Sequence, residues 1–590
     1  MKDAQGSKIV KIHIEKYEED LNIGPGKEKK NDIIDLFTNY NKIRSEEELY
    51  KIESSLHIAC QKGDLELIKI YLSETITIND FIFKIDRENQ TASFFYLNDY
   101  LITDLVIPRT VRYESTDYLI TSLTGIGFGN YEYYELTTLK FAKDSSVETI
   151  YQHIFSNFSS LKEIYFPESL KELKEGWCDN VDKLQNIIIP PSNGRFIFKD
   201  EKYLLGKTDP NSDEFDNLLF VRRDIEEFSI PPNIKVISSY AFYDCEKLTK
   251  IEISPDSNLH SIGDYAFTLS KIEEINFPAN LIELKENWCN GTEKLTNIII
   301  SPLNGQFIFK DEKYLLGKTD PNSDEFDNIL FVRRDIEEFS IPSNIKVISS
   351  FAFHFCTNLT KVEIDPNSKL QIIGPDSFQG SGIRKIIIPP QVSKICEYAF
   401  TGCFSLIYIE IPPNSNLQTI GQLAFAHTNI ESIIIPPKVS KICRYAFYKC
   451  ENLKKIGISP NSNLQTIEEY AFRNSKIDSI FIPQKVSKIW GNTFSSCKNL
   501  KKVEFSPNSN LQKIRFNAFS FSAIESIFIP PKVSKICEKA FFCCEKLQII
   551  EISEESELKS FQWTISNRLE KCLIMIPSKL RKLINTNEPI

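Results

Sequence analysis

The side chains in this chain that can do chemistry are plentiful, but their spacing suits almost none of it. Fourteen cysteines and six histidines are spread over 590 residues. His13, His57, His153, His260, His354 and His427 form no His-x-x-x-His pair, the spacing that sets two imidazoles on one helix face around zinc. No Cys-x-x-Cys occurs, and Cys543-Cys544 has the wrong spacing for a zinc site. A nucleophilic serine would sit in a Gly-x-Ser-x-Gly elbow, which is missing, as is a P-loop. Gly125-Ile126-Gly127-Phe128-Gly129 superficially suggests a phosphate loop. Its third glycine is misplaced, and no strand–helix context frames it. Asp209, Asn211 and Asp213 are spaced like the opening of an EF-hand, but Glu214 stands where glycine is required and Phe220 where the bidentate Glu belongs. That stretch reads as a solvated Asx-type turn. The expectation is a protein that is not an enzyme and holds no metal and no cofactor.

The elements that carry these residues repeat. Lys394-Ile-Cys-Glu-Tyr-Ala-Phe-Thr-Gly-Cys403 returns at Lys441 and Lys535, and a variant with Trp490 in place of the first cysteine starts at Lys488. These starts lie 47 residues apart. Looser copies, marked by Ala424-Phe425, Ala471-Phe472 and Ala518-Phe519, fall between them, so the Phe anchors step by 25 and 22 in alternation. A period of this size is the signature of a stacked repeat. Within one period, Ile430-Glu431-Ser432-Ile433-Ile434-Ile435 predicts a short strand that Pro436 ends. Cys443, Phe447 and Cys450, at i, i+4 and i+7, predict a short helical turn. A Pro-Asn-Ser-Asn turn near 412–416, 460–463 and 507–510 accounts for the longer step. One coil cannot stand alone: its five or so buried side chains contribute roughly 1.5–3 kcal/mol each, while ordering about 23 residues costs on the order of 1–2 kcal/mol apiece. Only stacking closes that gap.

The phrase Leu-x-x-Ile-x-Ile-Pro-x-x-Val-x-x-Ile-x-x-x-Ala-Phe-x-x-Cys resembles the BspA-type class of leucine-rich repeat. Phe anchors stand at 128, 155, 242, 267, 353, 378, 400, 425, 447, 472, 494, 519 and 541, and Cys178 and Cys289 take the same place in two further coils. The resemblance implies an α/β leucine-rich-repeat solenoid, with one short parallel strand and one short helical turn in each coil of 22–25 residues. It also implies a surface protein of the kind found in oral bacteria and anaerobic protists, acting in adhesion or recognition. The expected partner is a protein or a glycan.

Composition narrows the classes further. The formal charge of −10 argues against a dedicated nucleic-acid binder, which normally carries a basic domain. No apolar run approaches the ~18–20 residues of a membrane span, and residues 1–20 lack the apolar core of an export signal. Cys403, Cys450 and Cys497 recur in every second coil, roughly 10 Å apart at ~4.8 Å per layer. Disulfide Cα atoms must lie within about 7 Å, so these thiols read as buried and reduced. That favours cytosol or the reducing surroundings of an anaerobe, whereas the resemblance favours the cell surface. Four sequons, at Asn89, Asn157, Asn290 and Asn358, would carry glycans only after export. Both locations stay open, and the chain reads as a monomer.

In order, residues 1–30 read as a flexible lead-in and 31–75 as a helical cap. Leu56-His57-Ile58-Ala59 in that cap resembles one ankyrin-type helix pair. Residues 76–160 read as drifted repeats, 161–565 as BspA-type repeats, and 566–590 as a C-terminal cap and tail. Phe196–Asn217 is identical to Phe307–Asn328. These duplicated segments predict hairpin insertions near 193–224 and 304–335 that stand off the regular stack.

A binding face follows from the outward strand positions, which need not be apolar for folding. They read Glu363, Ile387, Glu410, Ile434, Gly457, Phe481, Glu504, Phe528 and Glu551, apolar residues alternating with Glu. Large apolar side chains on an exposed sheet suggest a contact surface, although such residues can also simply support one another along the sheet. A second column, Lys438/Lys441, Lys485/Lys488 and Lys532/Lys535, predicts a basic edge able to attract acidic glycans or phospholipid head groups, or merely a solvated edge. The functional expectation is recognition or adhesion through the repeat surface, with an intracellular scaffold as the alternative.

Overall fold

The computed structural model describes residues 73–561, apart from 79–80, 98–100, 125–134, 156–157 and 180, together with Glu66, Lys69, Ile70, 573–575 and 577–578. The lead-in, most of the ankyrin-like cap, the anchor at 128 and most of the C-terminal cap and tail fall outside the described residues. The chain divides into two units, 1–292 and 293–590. Each is a stack of coils with its own apolar core.

Each regular coil holds two strands, where the sequence led us to expect one. In the coil of Phe447 they are Ser432–Ile435 and Lys441–Ile442. The second strand escapes a sequence reading because it is only two residues long. Repeated from coil to coil in the second unit, it nevertheless builds a 13-stranded sheet, parallel wherever coil meets coil. The longer strands pair in parallel on another side, for example Ser432–Ile435 with Lys455–Ile458. Pro436 closes the longer strand, as its missing N–H requires.

The helical turn expected after the second strand is also corrected. Among the described residues the only helical element assigned within the coils is the 3-10 turn Pro191–Asn193. The segment around each Phe anchor from Phe242 to Phe541 is instead bent by a left-handed residue two positions before it and another two positions after. Tyr445 (φ 58°) and Lys449 (φ 53°) flank Phe447, and Tyr470 (φ 60°) and Asn474 (φ 60°) flank Phe472. Tyr398 and Gly402 (φ 67°) flank Phe400, and here glycine fills the position without strain. The i, i+4, i+7 spacing looked helical because both geometries bring Phe447 and Cys450 to the inside.

The bend turns backbone donors toward the next coil. Tyr445, Phe447 and Lys449 donate to the carbonyls of Glu469, Ala471 and Arg473 at 3.1, 2.8 and 2.9 Å. This third ladder offsets a left-handed cost of roughly 1–2 kcal/mol for each non-glycine residue.

Inside the second unit the anchors form one column. The rings of Phe353, Phe378, Phe400, Phe425, Phe447, Phe472, Phe494, Phe519 and Phe541 stack with centroids 4.6–5.6 Å apart and planes within 11° of parallel. In the first unit Trp177-Cys178 and Trp288-Cys289 replace Ala-Phe, moving the aromatic bulk back by one residue. Trp177 then meets Phe155 and Phe220 at 6.2 and 6.1 Å.

The duplicated insertions do not stand off the stack. Ile197–Lys199, Tyr203–Gly206 and Asn217–Val221 form an antiparallel meander, and its third strand pairs in parallel with Val236–Ile237. The copy at 308–332 joins Val347–Ile348 in the same way. Each insertion therefore starts a sheet. Residues 74–97 form a further antiparallel meander, whose last strand pairs in parallel with Thr116–Leu123.

Where the third strand of each duplicated meander stands in place of an anchor turn, the Val221 and Val332 N–H groups donate to the Ala241 and Ala352 carbonyls at 3.0 Å, and a buried arginine adds to that contact. Arg334, 8% exposed, donates to the Ala352 and Phe351 carbonyls at 2.7 and 3.1 Å, with its guanidinium 4.9 Å from the Phe331 ring. Arg223 does the same for Ala241 and Tyr240 at 2.7 and 3.1 Å, above Phe220. The planar fork matters, because an ammonium cannot reach two carbonyls and stack at once.

Two outcomes test this reading. Arg334→Lys should lower stability by about 2 kcal/mol, through a lost charge-assisted hydrogen bond and lost stacking, read as a lower urea midpoint; an unchanged midpoint contradicts the role of the fork. Lys449→Gly should raise stability by about 0.5–1 kcal/mol, read as a higher midpoint, while Lys449→Val lowers it. The opposite order contradicts the left-handed turn.

Candidate interaction surface

The outward strand positions named from the sequence lie on one side of the long strands. Ile387, Ile434 and Phe528 are 42%, 62% and 43% exposed, whereas Phe481 is half-buried. Glu410, Glu504 and Glu551 are exposed. Register sets them side by side: Ile387 beside Glu410, Ile434 beside Gly457, Phe481 beside Glu504, and Phe528 beside Glu551. Gly457 breaks the alternation and leaves one flank of Ile434 bare. A Cβ there would come within 3.3 Å of the Ile434 side chain.

The carboxylates of this face differ in their surroundings. Glu410 accepts from the Tyr408 hydroxyl at 2.7 Å, and Lys385 lies 4.7 Å from the Tyr408 ring. Glu504 is paired with Lys502 on its own strand. Glu363 pairs with Lys361 at 2.7 Å, which holds its carboxyl below the usual range.

The sequence reading missed Ile407 and Tyr408, 54% and 43% exposed, next to Ile387 and Ile434 on consecutive coils. The signal was available. The same two positions carry Glu431-Ser432, Lys454-Lys455, Asp478-Ser479, Lys501-Lys502 and Glu525-Ser526 in later coils, so an apolar pair at 407–408 departs from its column. Phe404, 67% exposed, belongs to the same coil.

The lysine column carries hydrogen bonds from coil to coil. Lys438, Lys485 and Lys532 donate to Asn416, Asn463 and Asn510 of the preceding coil at 2.6, 2.6 and 2.7 Å. The Pro-Asn-Ser-Asn insertion thus supplies an acceptor for the following coil. Lys441 meets Glu468 at 2.6 Å, Lys488 lies 5.3 Å from the Trp490 ring, and Lys535 is exposed. The charges remain, but they are held apart rather than pooled.

Cysteines fill the interior. Cys403, Cys450 and Cys497 are free and buried, and burial pushes each thiol up to about 12. Each donates to the carbonyl of the preceding Phe anchor: Cys450 to Phe425 at 3.1 Å, with Thr428 donating to the same oxygen at 2.8 Å. The alternation of Cys with Ser or Thr between coils is therefore a packing rule in which two neighbouring coils serve one carbonyl in every second coil. Thiols this buried and this protonated are poor nucleophiles.

The acidic turn is built as an Asx turn. Asp209 accepts from the Asn211 N–H at 2.9 Å, and Asp320 from Asn322 at 3.0 Å. Among the described residues no cluster of three His, Cys, Asp or Glu could hold a metal. Nor is any described helix long and apolar enough to cross a membrane.

Comparison with known proteins agrees with this architecture. The model of the BspA type leucine rich repeat region matches residues 117–204, 213–313, 324–454, 418–548 and 465–583, with six copies, more than half of the chain. Among solved structures, a leucine rich cell surface protein from Faecalibacterium prausnitzii is 19% identical, over 73% of this chain and 95% of its own, with a TM-score of 0.35. The pneumococcal vaccine antigen PcpA is 16% identical over 84% and 99%, with a TM-score of 0.32. A leucine-rich repeat protein from Bacteroides ovatus is 17% identical over 83% and 100%, with a TM-score of 0.28. No curated protein matches the chain. Because the family model matches more than half of its length, this chain belongs to the BspA-type leucine-rich repeat family.

Proposed function

We propose that this protein is a non-catalytic recognition or adhesion protein, and that the exposed face of its long strands is where a protein partner docks. The observation that carries this reading is the exposure of Ile387, Ile407, Tyr408 and Ile434 on consecutive coils. Folding does not need them there, because the core side of each of these strands is already filled by Ile386, Ile409 and Ile433. Apolar side chains kept in water along a rigid sheet suit a partner that buries them. Glu410, Glu504 and Glu551 alternate with Ile387, Ile434, Phe481 and Phe528, giving such a partner polar neighbours that fix register. Leucine-rich repeat relatives described as cell surface proteins and antigens fit the adhesion form of this proposal.

A second reading, an intracellular scaffold of the same fold, is favoured by one observation. Twelve cysteines among the described residues are free, as a reducing compartment would leave them. Protease treatment of intact cells separates the two, since only a surface protein is cut.

The docking face itself is tested by crosslinking capture with the wild type and with Phe481→Ala/Phe528→Ala and Ile387→Ser/Ile434→Ser. Loss of truncated hot-spot side chains costs about 2 kcal/mol or more, so recovery of the partner should fall at least about tenfold while circular dichroism is unchanged. Full recovery with both variants would place the partner elsewhere.

A further inference from the structure

The two units carry opposite charge. Residues 1–292 hold 33 Lys and Arg against 50 Asp and Glu, whereas residues 293–590 hold 37 against 30. The net charge of −10 therefore conceals a basic second unit. Part of that excess gathers on the sheet built by the two-residue strands.

The lysines of the 47-residue period, Lys441, Lys488 and Lys535, stand two coils apart on this sheet, and Thr466 follows Lys441 in the column. Between Lys488 and Lys535, however, the intervening coil carries Lys513. It is in register with Lys488 on one side and with Lys535 on the other, so three lysines occupy successive layers about 4.8 Å apart. Ile489, Ile514 and Ile536 beside them are buried, which leaves the lysines on the outer side. Lys485 and Lys532 stand three residues before this row and Arg515 two residues after it, so the charge spreads over an area. Among the described residues none of the six meets a carboxylate within ion-pair distance, and Glu468 on the preceding coil is engaged by Lys441 at 2.6 Å. The asparagines that accept from Lys485 and Lys532 are neutral and leave both charges in place. Like charges directly opposite on neighbouring strands destabilise a sheet. Folding gains nothing from a lysine at 513, where earlier coils carry Thr419 and Thr466.

We infer that this patch docks the chain on the surface of an anionic phospholipid bilayer. It lies on the sheet of the two-residue strands, away from the long-strand face proposed above, and does not depend on that proposal. Its size fits, because polybasic clusters that hold proteins on anionic leaflets contain roughly four to eight Lys and Arg. Its composition fits as well. Five of the six are lysines, point charges that suit diffuse attraction, whereas a site shaped for single phosphates or nucleic acid favours the planar arginine fork. No ring face is offered to a base, since Trp490 already carries Lys488 and Arg515 at 5.3 and 4.8 Å, and single-stranded nucleic acid needs such platforms. The residues between the cations are Ser487, Gln512 and Ser534, so a protein partner would meet none of the apolar centre that interfaces use. A bilayer needs neither platform nor apolar centre. Charge spread over the outer side of a sheet is enough.

The test is sedimentation of the full chain with phosphatidylcholine vesicles, made with or without about 30% phosphatidylserine. The chain should sediment with the anionic vesicles and not with the neutral ones, and added salt should release it. Each charge near such a surface is worth about fivefold in partition. Lys488→Gln/Lys513→Gln/Lys535→Gln should therefore weaken binding about a hundredfold. Lys454→Gln/Lys455→Gln/Lys501→Gln, an equal loss of charge beside the long strands, should leave it nearly unchanged. Lys513→Glu places a carboxylate between two ammonium groups, so it should raise the urea midpoint while weakening binding about twentyfold; loss of binding in that variant is then not loss of fold. The inference is overturned if anionic vesicles retain no more of the chain than neutral ones, or if the glutamine and Lys513→Glu variants bind like the wild type. It is also overturned if the long-strand variant loses as much, if binding survives about 1 M salt, or if a single-stranded oligonucleotide at equal charge retains more of the chain than the vesicles do.

Discussion

Everything in this fold depends on the contact between one coil and the next, because a coil owns too little buried surface to order itself. The contact has two parts with different physics. Phe rings in the second unit lie face over face, each one the floor for the next. The left-handed residues on either side of each ring aim backbone donors at the neighbouring coil. Burial of the ring is non-directional and sets strength, whereas the ladder of N–H groups is directional and sets register. A left-handed residue, only rarely glycine, is tolerated on both sides of the anchors from Phe242 to Phe541 because that bend lets donors and ring serve the same neighbour.

That dependence explains features that otherwise look decorative. The 25 and 22 residue steps differ by a Pro-Asn-Ser-Asn turn whose last asparagine takes a lysine from the following coil. Cysteine in one coil faces Ser or Thr in the one before, and both satisfy the same anchor carbonyl. Where the regular turn is interrupted by the duplicated insertion, Arg223 and Arg334 add hydrogen bonds to the next coil beside those of the Val221 and Val332 N–H groups. The interior is thus fully committed to stacking. What is left for recognition is the outer side of the long strands and of the two-residue strands.

Much of this was legible in the sequence. The 47-residue double period, the Phe anchors, the inward and outward alternation and the free thiols all follow from spacing, because a repeat states each rule many times. The missed features share a cause: they are defined by the neighbouring coil and not by local pattern. Cys443, Phe447 and Cys450 at helical spacing read as a helix, and only the demand for donors pointing sideways makes Tyr445 and Lys449 left-handed. Lys441–Ile442 is too short to call a strand until it is seen paired on both edges. Nothing local marks Arg223 and Arg334 as buried, since the carbonyls they meet belong to the following coil. On the face, Ile407-Tyr408 was legible but overlooked, because the comparison that reveals it runs down the column and not along the chain.

Native-state hydrogen exchange measures the stacking contact most directly. If coils are locked together by the ladder at the anchors, the amides of Phe425, Phe447, Phe472 and Phe494, which donate to the next coil, should exchange as slowly as those of the long strands and lose protection together with them as denaturant is added. Anchor amides that exchange orders of magnitude faster than the strands, as in an ordinary surface turn, would contradict the account.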